Sequence, residues 1–377
     1  MKALVVSGIW PPDVGGPASH APDVAAFLQA RGHGVEVVTT AAVAPEARAY
    51  PVRWTSRRLP KGVRHVHGAL LVAARARRVE VVYTTGMFAR SAIGALLARR
   101  PYVVKLTGDP AFERLRARGT VGGDVEDFQR RRGIQARTLS WLRGFVLRRA
   151  VHVFCPSEYL RSLVVGWGVD PARTDVLPNP APTAPELGDR DELRRHFGME
   201  GPTLAFGGRL TAQKSLEVAL AAVAAVPRVA LVVAGDGPER ATVERCVAEL
   251  GLGDRVTLLG ARKREEVLEL FHAADASLLS SSWENFPHGV VESLAVGTPV
   301  IATDVGGVAE VVVDGENGLL VPAGDAAALA AAISRFLDDE ALASRLRGNA
   351  VASVAAYAPE TVLARLETVL QQAAGTR

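Results

Sequence analysis

Two cations lie five residues apart after a pair of glycines, in the segment Gly207-Gly208-Arg209-Leu-Thr-Ala-Gln-Lys214. Arginine grips a phosphate with two parallel hydrogen bonds, and lysine adds a compact charge. At the mouth of a strand, such a pair could hold a diphosphate without a metal. The alternative is a pair of ordinary surface charges, which the neighbouring glycines disfavour.

Two glutamates follow a predicted strand further along the chain. Glu284 lies in a loop and Glu292 inside the next helix, with seven residues between them. The loop carboxylate could accept hydrogen bonds from sugar hydroxyls, and the second could bind the two vicinal hydroxyls of a ribose. Asn285, Phe286 and Pro287 are expected to line the same site, where free amides at the start of the helix could meet a phosphate. The alternative is an ordinary helix with Glu292 facing solvent.

Two further candidates lie where strands of the first half end. Gly15 and Gly16 follow the first strand, and adjacent glycines let the backbone approach a ligand and direct amides at an anion. Taken alone, such a pair is more often only a turn. Asp109 follows a predicted strand directly. An Asp before a proline usually forms a turn, but its place at a strand's carboxyl end makes it a candidate site residue.

Short Val/Ile/Leu runs alternate with Ala/Leu/Arg-rich stretches along the chain, which predicts an α/β fold with parallel sheets covered on both faces. The predicted strands are Ala3–Ser7, Val35–Thr40, Val79–Thr84, Tyr102–Leu106, Val151–Cys155, Thr203–Gly207, Val229–Ala234, Val256–Leu259, Ala276–Leu279, Pro299–Ala302 and Gly318–Val321.

Four prolines in residues 178–188 interrupt this alternation and predict a linker. We therefore predict two Rossmann-like domains, 1–177 and 201–359, joined by a proline-rich hinge at 178–200 and facing each other across a cleft. Ligands of open parallel sheets bind at the carboxyl ends of the strands. The cleft is therefore the expected site.

Composition excludes several classes of protein. The chain has 377 residues, of which 48% are hydrophobic and 22% charged, and this composition is typical of a globular protein rather than a disordered one. No run reaches the roughly 18 apolar residues of a membrane span. The G-x-G-x-x-G fingerprint of dinucleotide dehydrogenases is absent after every predicted strand. We expect a cytoplasmic protein that needs no cofactor and binds no nucleic acid, because the basic half lacks interleaved aromatic residues.

The net charge of +4 is unevenly distributed. Residues 1–180 carry 27 basic and 13 acidic side chains, whereas the rest of the chain is acidic. Five cations fall within twelve acid-free residues, and two further basic runs follow. These runs suggest peripheral contact with an anionic surface at the inner face of a membrane; the alternatives are a soluble anionic acceptor or simple solvation of helices. The cations are Arg53, Arg57, Arg58, Lys61 and Arg64, followed by Arg130 to Arg132 and by Arg148 and Arg149.

Taken together, these segments resemble the retaining GT-B glycosyltransferases of family 4 over nearly the whole chain, in the motifs PPDVGG, GGRLTAQK, AGDGP, ENFPHGVVE and GTPVIATDVGGVAEVV. The resemblance implies that the second domain binds a nucleoside diphosphate sugar and the first binds the acceptor. It also implies that the terminal helix, within 360–377, crosses back to the first domain.

The resemblance assigns roles to individual residues. Arg209 and Lys214 match the diphosphate-binding pair, and Glu284 matches the carboxylate that holds the donor sugar. Glu292 matches the ribose ligand and Gly16 a loop amide near the donor phosphate.

Two positions depart from the common family pattern. Glu284-Asn285-Phe286-Pro287 replaces Glu-Gly-Phe-Gly, and Asp109 stands where many members have a histidine. The first change puts in question which backbone amides face the sugar. At the second position Asp109 is expected to orient the sugar or the acceptor.

The expected reaction is transfer of a sugar, with UDP as the expected nucleotide, to a hydroxyl of a glycan, a lipid-linked molecule or a small molecule. The resemblance implies retention of anomeric configuration, and the cation pair makes a metal unnecessary. A sugar-nucleotide epimerase of the same architecture and a non-catalytic sugar-nucleotide-binding protein remain alternatives.

Overall fold

The computed structural model describes residues 1–13, 16–116, 128–129, 133–183 and 186–375. Within them the chain divides into two compact units, Met1–Asn179 with Glu360–Arg377, and Pro180–Pro359. Each unit is built around one parallel sheet.

The first unit contains a seven-stranded sheet in the order β3-β2-β1-β4-β5-β6-β7. Its elements are β1 Lys2–Val6, α1 Gly16–Ala30, β2 Gly34–Ala41, β3 Val52–Ser56, α2 Lys61–Ala76, β4 Val81–Thr84, α3 Phe88–Ala98, β5 Tyr102–Lys105, α4 Pro110–Arg116, α5 Ile134–Arg149, β6 His152–Cys155, α6 Glu158–Gly166, β7 Thr174–Val176 and the terminal helix α14 Pro359–Gly375.

The second unit contains a six-stranded sheet in the order β10-β9-β8-β11-β12-β13. Its elements are α7 Arg190–His196, β8 Thr203–Gly207, α8 Leu216–Ala225, β9 Ala230–Ala234, α9 Arg240–Glu249, β10 Val256–Gly260, α10 Arg264–Ala273, β11 Ala276–Leu279, α11 His288–Ala295, β12 Val300–Thr303, β13 Gly318–Val321, α12 Ala326–Asp338 and α13 Glu340–Ser353.

The prediction of two parallel-sheet α/β domains is confirmed, because all the ladders between these strands are parallel. Strand β1 is apolar from Ala3 to Val6, and its packing shows why. Leu4 and Val6 lie in the core on one face of the sheet, and Ala3 and Val5 lie in the core on the other. Successive strand residues point to opposite faces, so a strand covered on both sides has no polar face.

The terminal helix α14 packs on the first unit. Leu363, Leu366 and Leu370 share a buried cluster with Ala3 and Val5 of β1. Glu367, between these leucines, accepts hydrogen bonds from His33 Nε2 at 2.6 Å and Arg31 Nε at 3.1 Å. An apolar stripe and one polar anchor therefore hold this helix against the sheet.

Strands β3 and β7 were not expected from the sequence. They are the two edges of the seven-stranded sheet, where burial is incomplete, so neither forms a long apolar run. In β3, Arg53 is exposed and Thr55 is buried, and β7 has three residues. Short, partly charged strands are typical of sheet edges.

The predicted hinge at 178–200 contains helix α7. The Asp189 side chain caps it by accepting hydrogen bonds from the amides of Asp191 and Glu192 at 3.0 and 3.1 Å. Arg190 and Arg194 donate to Asp275 beside strand β11, which ties the helix to the second unit. Among the described residues, 178–183 and 186–189 contain neither helix nor strand.

Candidate functional site

The loop after β8 carries the predicted cation pair, and a glycine turn after β9 supports it. The amides of Gly208 and Leu210 donate to the carbonyls of Ala234 and Asp236, each at 2.9 Å. A Cβ atom at Gly235 would lie 1.9 Å from the Gly208 oxygen, and one at Gly237 would lie 2.2 Å from the Leu210 oxygen. Only glycine fits this approach. The segment AGDGP therefore shapes the loop that presents Arg209.

Lys214 and Glu284 form an ion pair in which the lysine Nζ lies 2.5 Å from the carboxylate Oε1. They come from the loops after β8 and β11, which are neighbours in the sheet. Glu284 is 5% exposed. Its Oε1 also accepts a hydrogen bond from Ser281 Oγ at 2.8 Å, and its Oε2 accepts one from Gln213 Nε2 at 3.3 Å. The structure thus brings two of the predicted residues together, with both carboxylate oxygens engaged.

Backbone bonds join the same two loops. The Ser282 amide donates to the Gln213 carbonyl at 2.8 Å, and Ser280 Oγ donates to the Lys214 carbonyl at 2.8 Å. Glu284 is held in addition by its own carbonyl, which accepts from the Gly307 amide at 3.0 Å. Lys214 and Glu284 are therefore positioned by the main chain as well as by their side-chain pair.

Arg209 is exposed, and it forms no ion pair or side-chain hydrogen bond within the described residues. The start of α11 lies close to the end of β8, because a Cβ at Gly289 would approach the Gly207 oxygen at 3.4 Å. Arg209, two residues after β8, and the first turn of α11 thus both lie at the carboxyl end of this strand. A helix N-terminus carries partial positive charge, so both features favour an anion.

Asn285, Phe286 and Pro287 connect Glu284 to helix α11, and all three are buried. The Phe286 ring packs in the core of this unit. Asn285 Oδ1 is buried without a hydrogen-bond donor among the described residues. A buried acceptor left unpaired costs about 1–3 kcal/mol. A ligand hydroxyl would remove that cost by donating to it.

Glu292 lies on α11 and is half-buried. Its Oε1 accepts a hydrogen bond from Arg264 Nε, the first residue of α10, at 2.8 Å. Burial raises the pKa of this carboxyl, and the charge and hydrogen bond of Arg264 oppose the rise. Arg264 therefore orients Glu292 and favours its ionised form.

Asp109 lies in the first unit and is 1% exposed. Its Oδ1 accepts hydrogen bonds from the amides of Ala111 and Phe112 at 2.8 and 3.4 Å. Its Oδ2 accepts bonds from Gln129 Nε2 at 2.9 Å and from Arg143 Nη1. The carboxylate thus caps helix α4 and pairs with Arg143, and both of its oxygens accept hydrogen bonds from the protein.

The two glycines of the first loop have different positions in the structure. Gly16 is the first residue of helix α1, so its amide belongs to the unbonded first turn. Gly15 lies outside the described residues, as do Arg130, Arg131 and Arg132 of the basic run.

Sequence reasoning missed four side chains that hold the candidate residues. Gln213 and Ser281 lie inside the motifs around Lys214 and Glu284, so their proximity was detectable. Arg264 and Arg143 carried no local signal, because they are 28 and 34 residues from the carboxylates that they contact.

Family models match most of the chain. The model of the group 1 glycosyl transferases matches residues 189–352, and that of the glycosyl transferase 4-like domain matches residues 15–180. The chain belongs to the group 1 glycosyltransferases. The motifs that carried the resemblance lie in these two matched regions, apart from the first residues of PPDVGG.

Curated relatives of this glycosyltransferase chain match over part of their length. The chain is 33% identical over 166 residues to an alpha-D-kanosaminyltransferase of Streptomyces kanamyceticus, over 43% of each chain. It is 38% identical over 181 residues to a D-inositol 3-phosphate glycosyltransferase of Mycobacterium marinum, over 46% of this chain and 39% of that one. The matched segments thus span less than half of each relative.

Solved structures share the fold of this glycosyltransferase chain over its whole length. HepE of Anabaena, in complex with UDP and glucose, superposes with a TM-score of 0.81 at 22% identity and covers 99% of this chain and 100% of its own. WaaG, a glycosyltransferase involved in lipopolysaccharide biosynthesis, gives 0.71 at 17% identity over 98% and 99%. The GT-B fold expected from the resemblance is confirmed.

Within the described ranges, no three His, Cys, Asp or Glu side chains gather where they could hold a metal ion. The helices of the same ranges are all too short or too polar to cross a membrane.

Proposed function

We propose that this protein is a retaining glycosyltransferase that moves a sugar from a nucleoside diphosphate sugar to an acceptor hydroxyl. The observation that carries the proposal is the Lys214–Glu284 pair, together with Arg209 of the same loop, which forms no ion pair among the described residues. It combines cations for a diphosphate with a fixed carboxylate for sugar hydroxyls at the carboxyl edge of one sheet. Family membership supports the same reaction class.

In this proposal Arg209 and Lys214 bind the diphosphate. As the bond from the anomeric carbon to the diphosphate oxygen breaks, both cations stabilise the negative charge that builds on the leaving group. Preorganised charges of this kind are often the largest catalytic contribution. The acceptor oxygen bonds to the same face of the anomeric carbon, and its proton passes to the departing phosphate oxygen. The sugar therefore keeps its configuration.

The other residues of the second unit hold the donor. Glu284 accepts hydrogen bonds from sugar hydroxyls, and the unpaired Asn285 Oδ1 accepts another. Both Glu284 oxygens already bond to protein donors, which favours binding of hydroxyls over nucleophilic attack. Glu292, oriented by Arg264, holds the ribose. The first turn of α11 supplies amides for the phosphates.

We propose that Asp109 is a positioning residue and not a contact to the sugar. Its two oxygens are occupied by two backbone amides, Gln129 and Arg143. Arg143 also lies over the Trp167 ring, 3.6 Å from its centre. Asp109 thereby fixes the orientation of Arg143 and the start of helix α4.

UDP is the proposed nucleotide, and the reaction is proposed to need no metal. HepE, whose fold this chain shares, has been solved with UDP and with UDP-glucose. The cation pair Arg209 and Lys214 supplies the charge that a divalent ion would supply. Activity should therefore persist in excess EDTA. Complete loss on chelation, restored by magnesium or manganese, would contradict this part of the proposal.

A panel of nucleoside diphosphate sugars and candidate acceptors tests the proposal, with the products identified by mass spectrometry. NMR of the new glycosidic linkage then gives its configuration. We expect an acceptor heavier by one sugar and an anomeric configuration equal to that of the donor. An inverted linkage would contradict retention. A changed sugar nucleotide formed without acceptor would indicate the epimerase alternative, and binding without any product would indicate a binding protein.

We also propose contact with an anionic membrane through helices α2 and α3. Residues 47–108 contain thirteen Lys and Arg side chains and one acid, Glu80. Each helix carries an exposed apolar stripe, at Val63, Val66 and Leu70 on α2 and at Ile93, Leu96 and Leu97 on α3. Exposed apolar side chains among cations suit the interface of an anionic bilayer. Because Arg57 pairs with Asp13, it contributes less than its neighbours.

A further inference from the structure

A cavity of about 170 Å³ lies in the first unit. The starts of helices α3 and α4, which follow strands β4 and β5, form one side of it, and helix α5 forms another. Its wall is largely apolar, with Phe88, Leu139 and Leu142 among the lining residues. Three arginines and a histidine, Arg90, Arg114, Arg143 and His65, also line it. Since parallel sheets bind ligands at the carboxyl ends of their strands, its position is that of a binding site.

The arginines of this wall differ in their partners. Arg143 is neutralised by Asp109. Arg90 and Arg114 form no ion pair with any acid in the described part of the chain, and Arg90 Nη1 is buried without a hydrogen-bond partner there. Burial, together with repulsion from Arg64 and Arg114, lowers the pKa of Arg90 to about 10. Among the described residues, the cavity wall thus presents two arginines, Arg90 and Arg114, for which no acid forms an ion pair.

Two backbone features lie next to Arg90, a glycine on α2 and a left-handed residue before α3. A Cβ at Gly68 of α2 would lie 3.0 Å from Arg90 Cδ and 3.4 Å from Nη1, so the glycine leaves room for the arginine side chain. Met87, which also lines the cavity, begins helix α3 with a φ of 53°. A non-glycine residue in the left-handed region is strained, and such strain often marks a functional site.

We propose that this cavity binds a phosphoryl group carried by the acceptor. Arg90, Arg114 and His65 come from three different elements, so their donors reach a ligand from several directions. That arrangement suits the tetrahedral oxygens of a phosphate better than a planar carboxylate. The low-dielectric apolar wall strengthens each charge interaction. That the phosphoryl group belongs to the acceptor rests on the proposed function, whereas phosphate binding itself does not.

The phosphoryl group has two possible sources, a water-soluble sugar or cyclitol phosphate and a lipid phosphate. Both present the same charged group to Arg90 and Arg114. They differ in the part that would contact the apolar wall, so relative affinity distinguishes them.

Calorimetric titration of the full chain with inorganic phosphate tests the proposal. Saturating UDP is present to occupy the second unit, and Arg209→Gln is titrated in parallel to exclude binding at the donor site. We expect Arg90→Gln and Arg114→Gln each to weaken phosphate binding at least tenfold. The matched control Arg78→Gln removes an exposed arginine beyond the end of α2 and should bind as the wild type does. Equal affinities in Arg90→Gln and Arg78→Gln, or no phosphate binding to the wild type, would overturn the proposal.

Thermal unfolding distinguishes a variant that has lost the phosphate site from one that has lost stability. Because Arg90 Nη1 is buried without a hydrogen-bond partner among the described residues, Arg90→Gln should keep or raise the melting temperature in phosphate-free buffer. Phosphate should raise the melting temperature of the wild type and not that of Arg90→Gln. A variant melting well below the wild type without phosphate would contradict the unpaired state of Arg90.

Glucose 6-phosphate and dihexanoyl phosphatidic acid, kept below its micelle concentration, identify the source. Tighter binding of the lipid indicates a lipid-linked acceptor, and tighter binding of the sugar phosphate indicates a soluble one. In either case Arg90→Gln must abolish the preference, or the cavity is not the site. These measurements need no turnover, so a failure here leaves the proposed transfer intact, and a failure of transfer leaves phosphate binding intact.

Discussion

At the scale of single residues, the ion pair between Lys214 and Glu284 connects the two motifs of the second unit. Their loops follow strands that are adjacent in the sheet but more than sixty residues apart in sequence. The pair occupies one lysine N–H and leaves the others for a phosphate. One lysine can therefore fix the sugar-binding carboxylate and neutralise the leaving group together.

Replacing Lys214 by methionine should lower turnover by about 10²–10³-fold, the usual effect of removing one preorganised donor from a transition state. Methionine keeps the length of the side chain, and Ser281 and Gln213 still bond to Glu284. Steady-state rates at saturating donor measure the effect. Lys263→Met, which removes an exposed lysine in the same unit, is the control. Near-normal turnover of Lys214→Met would refute the assigned role.

Replacing Glu284 or Glu292 by alanine should weaken the binding of different ligands. Glu284→Ala should weaken binding of the sugar nucleotide but leave that of the free nucleoside diphosphate nearly unchanged, because Glu284 contacts only the sugar part of the donor and backbone bonds still position Lys214. Glu292→Ala should weaken both ligands, because both contain the ribose. Arg264→Gln should resemble Glu292→Ala in weaker form, because it frees the Glu292 carboxylate. Calorimetric titrations with the reverse order would reject this division.

The sequence indicated most of the candidate residues but not the side chains that form hydrogen bonds and ion pairs with them. Arg209, Lys214, Glu284 and Glu292 lie in compact motifs whose residue types suit sugar nucleotides. The partners of the carboxylates come from distant positions, and their approach depends on tertiary packing. For the same reason, the sequence did not reveal that the oxygens of Asp109 are already bonded to two amides, Gln129 and Arg143.

At the scale of elements, apolar runs predicted the central strands because strands covered on both faces need apolar residues throughout. This criterion did not predict the edge strands β3 and β7, because one side of each lacks a neighbouring strand. It did not predict helix α7, because seven residues are too few to show a helical hydrophobic period. The helix is held by Asp275, about eighty residues away. The hydrophobic pattern of the sequence therefore predicts buried strands better than it predicts edge strands and short helices.

Strand β5 contains a buried lysine that binds the segment directly after strand β7. Lys105 Nζ donates to the carbonyls of Leu177 and Pro178, both at 2.9 Å, directly after strand β7. The side chain is completely buried, and burial lowers its pKa from 10.5 to about 7. Between these two values the unfolded chain binds a proton that the folded chain does not, so folding becomes more favourable as the pH rises.

Lys105→Met should remove this pH dependence. Between pH 7.5 and 9.5, the free energy of unfolding of the wild type should rise relative to that of the variant by about 1.4 kcal/mol per pH unit. Urea titrations at three pH values measure the difference, which cancels the contribution of other titrating groups. Parallel curves for the two proteins would show that Lys105 is not buried in its neutral form.

At the scale of the whole molecule, charge and exposed apolar surface are concentrated in the first unit. Nine of the twelve exposed large hydrophobic residues found in the described ranges belong to it, as does the acid-poor segment 47–108. Each cation near an anionic surface adds about 1 kcal/mol of attraction. The cations and apolar side chains of α2 and α3 would act together at a bilayer.

Co-sedimentation with vesicles tests the membrane contact. The protein should bind vesicles containing anionic lipid at low salt, bind less at moderate salt, and fail to bind neutral vesicles. A double variant, Val66→Ser with Leu70→Ser, should weaken binding, whereas Val351→Ser, an exposed valine of the second unit, should not. Absence of binding at low salt would eliminate this contact and favour a soluble acceptor.

Transfer of a sugar to an acceptor couples nucleotide release to the presence of that acceptor, so this coupling is the decisive measurement. Release of nucleoside diphosphate is followed with and without acceptor, in the wild type and in Lys214→Met. We expect one nucleotide released for each glycosylated acceptor formed, little release without acceptor, and a loss of both in the variant. Consumption of donor at the same rate without acceptor, or a modified sugar nucleotide with no nucleotide released, would contradict the account.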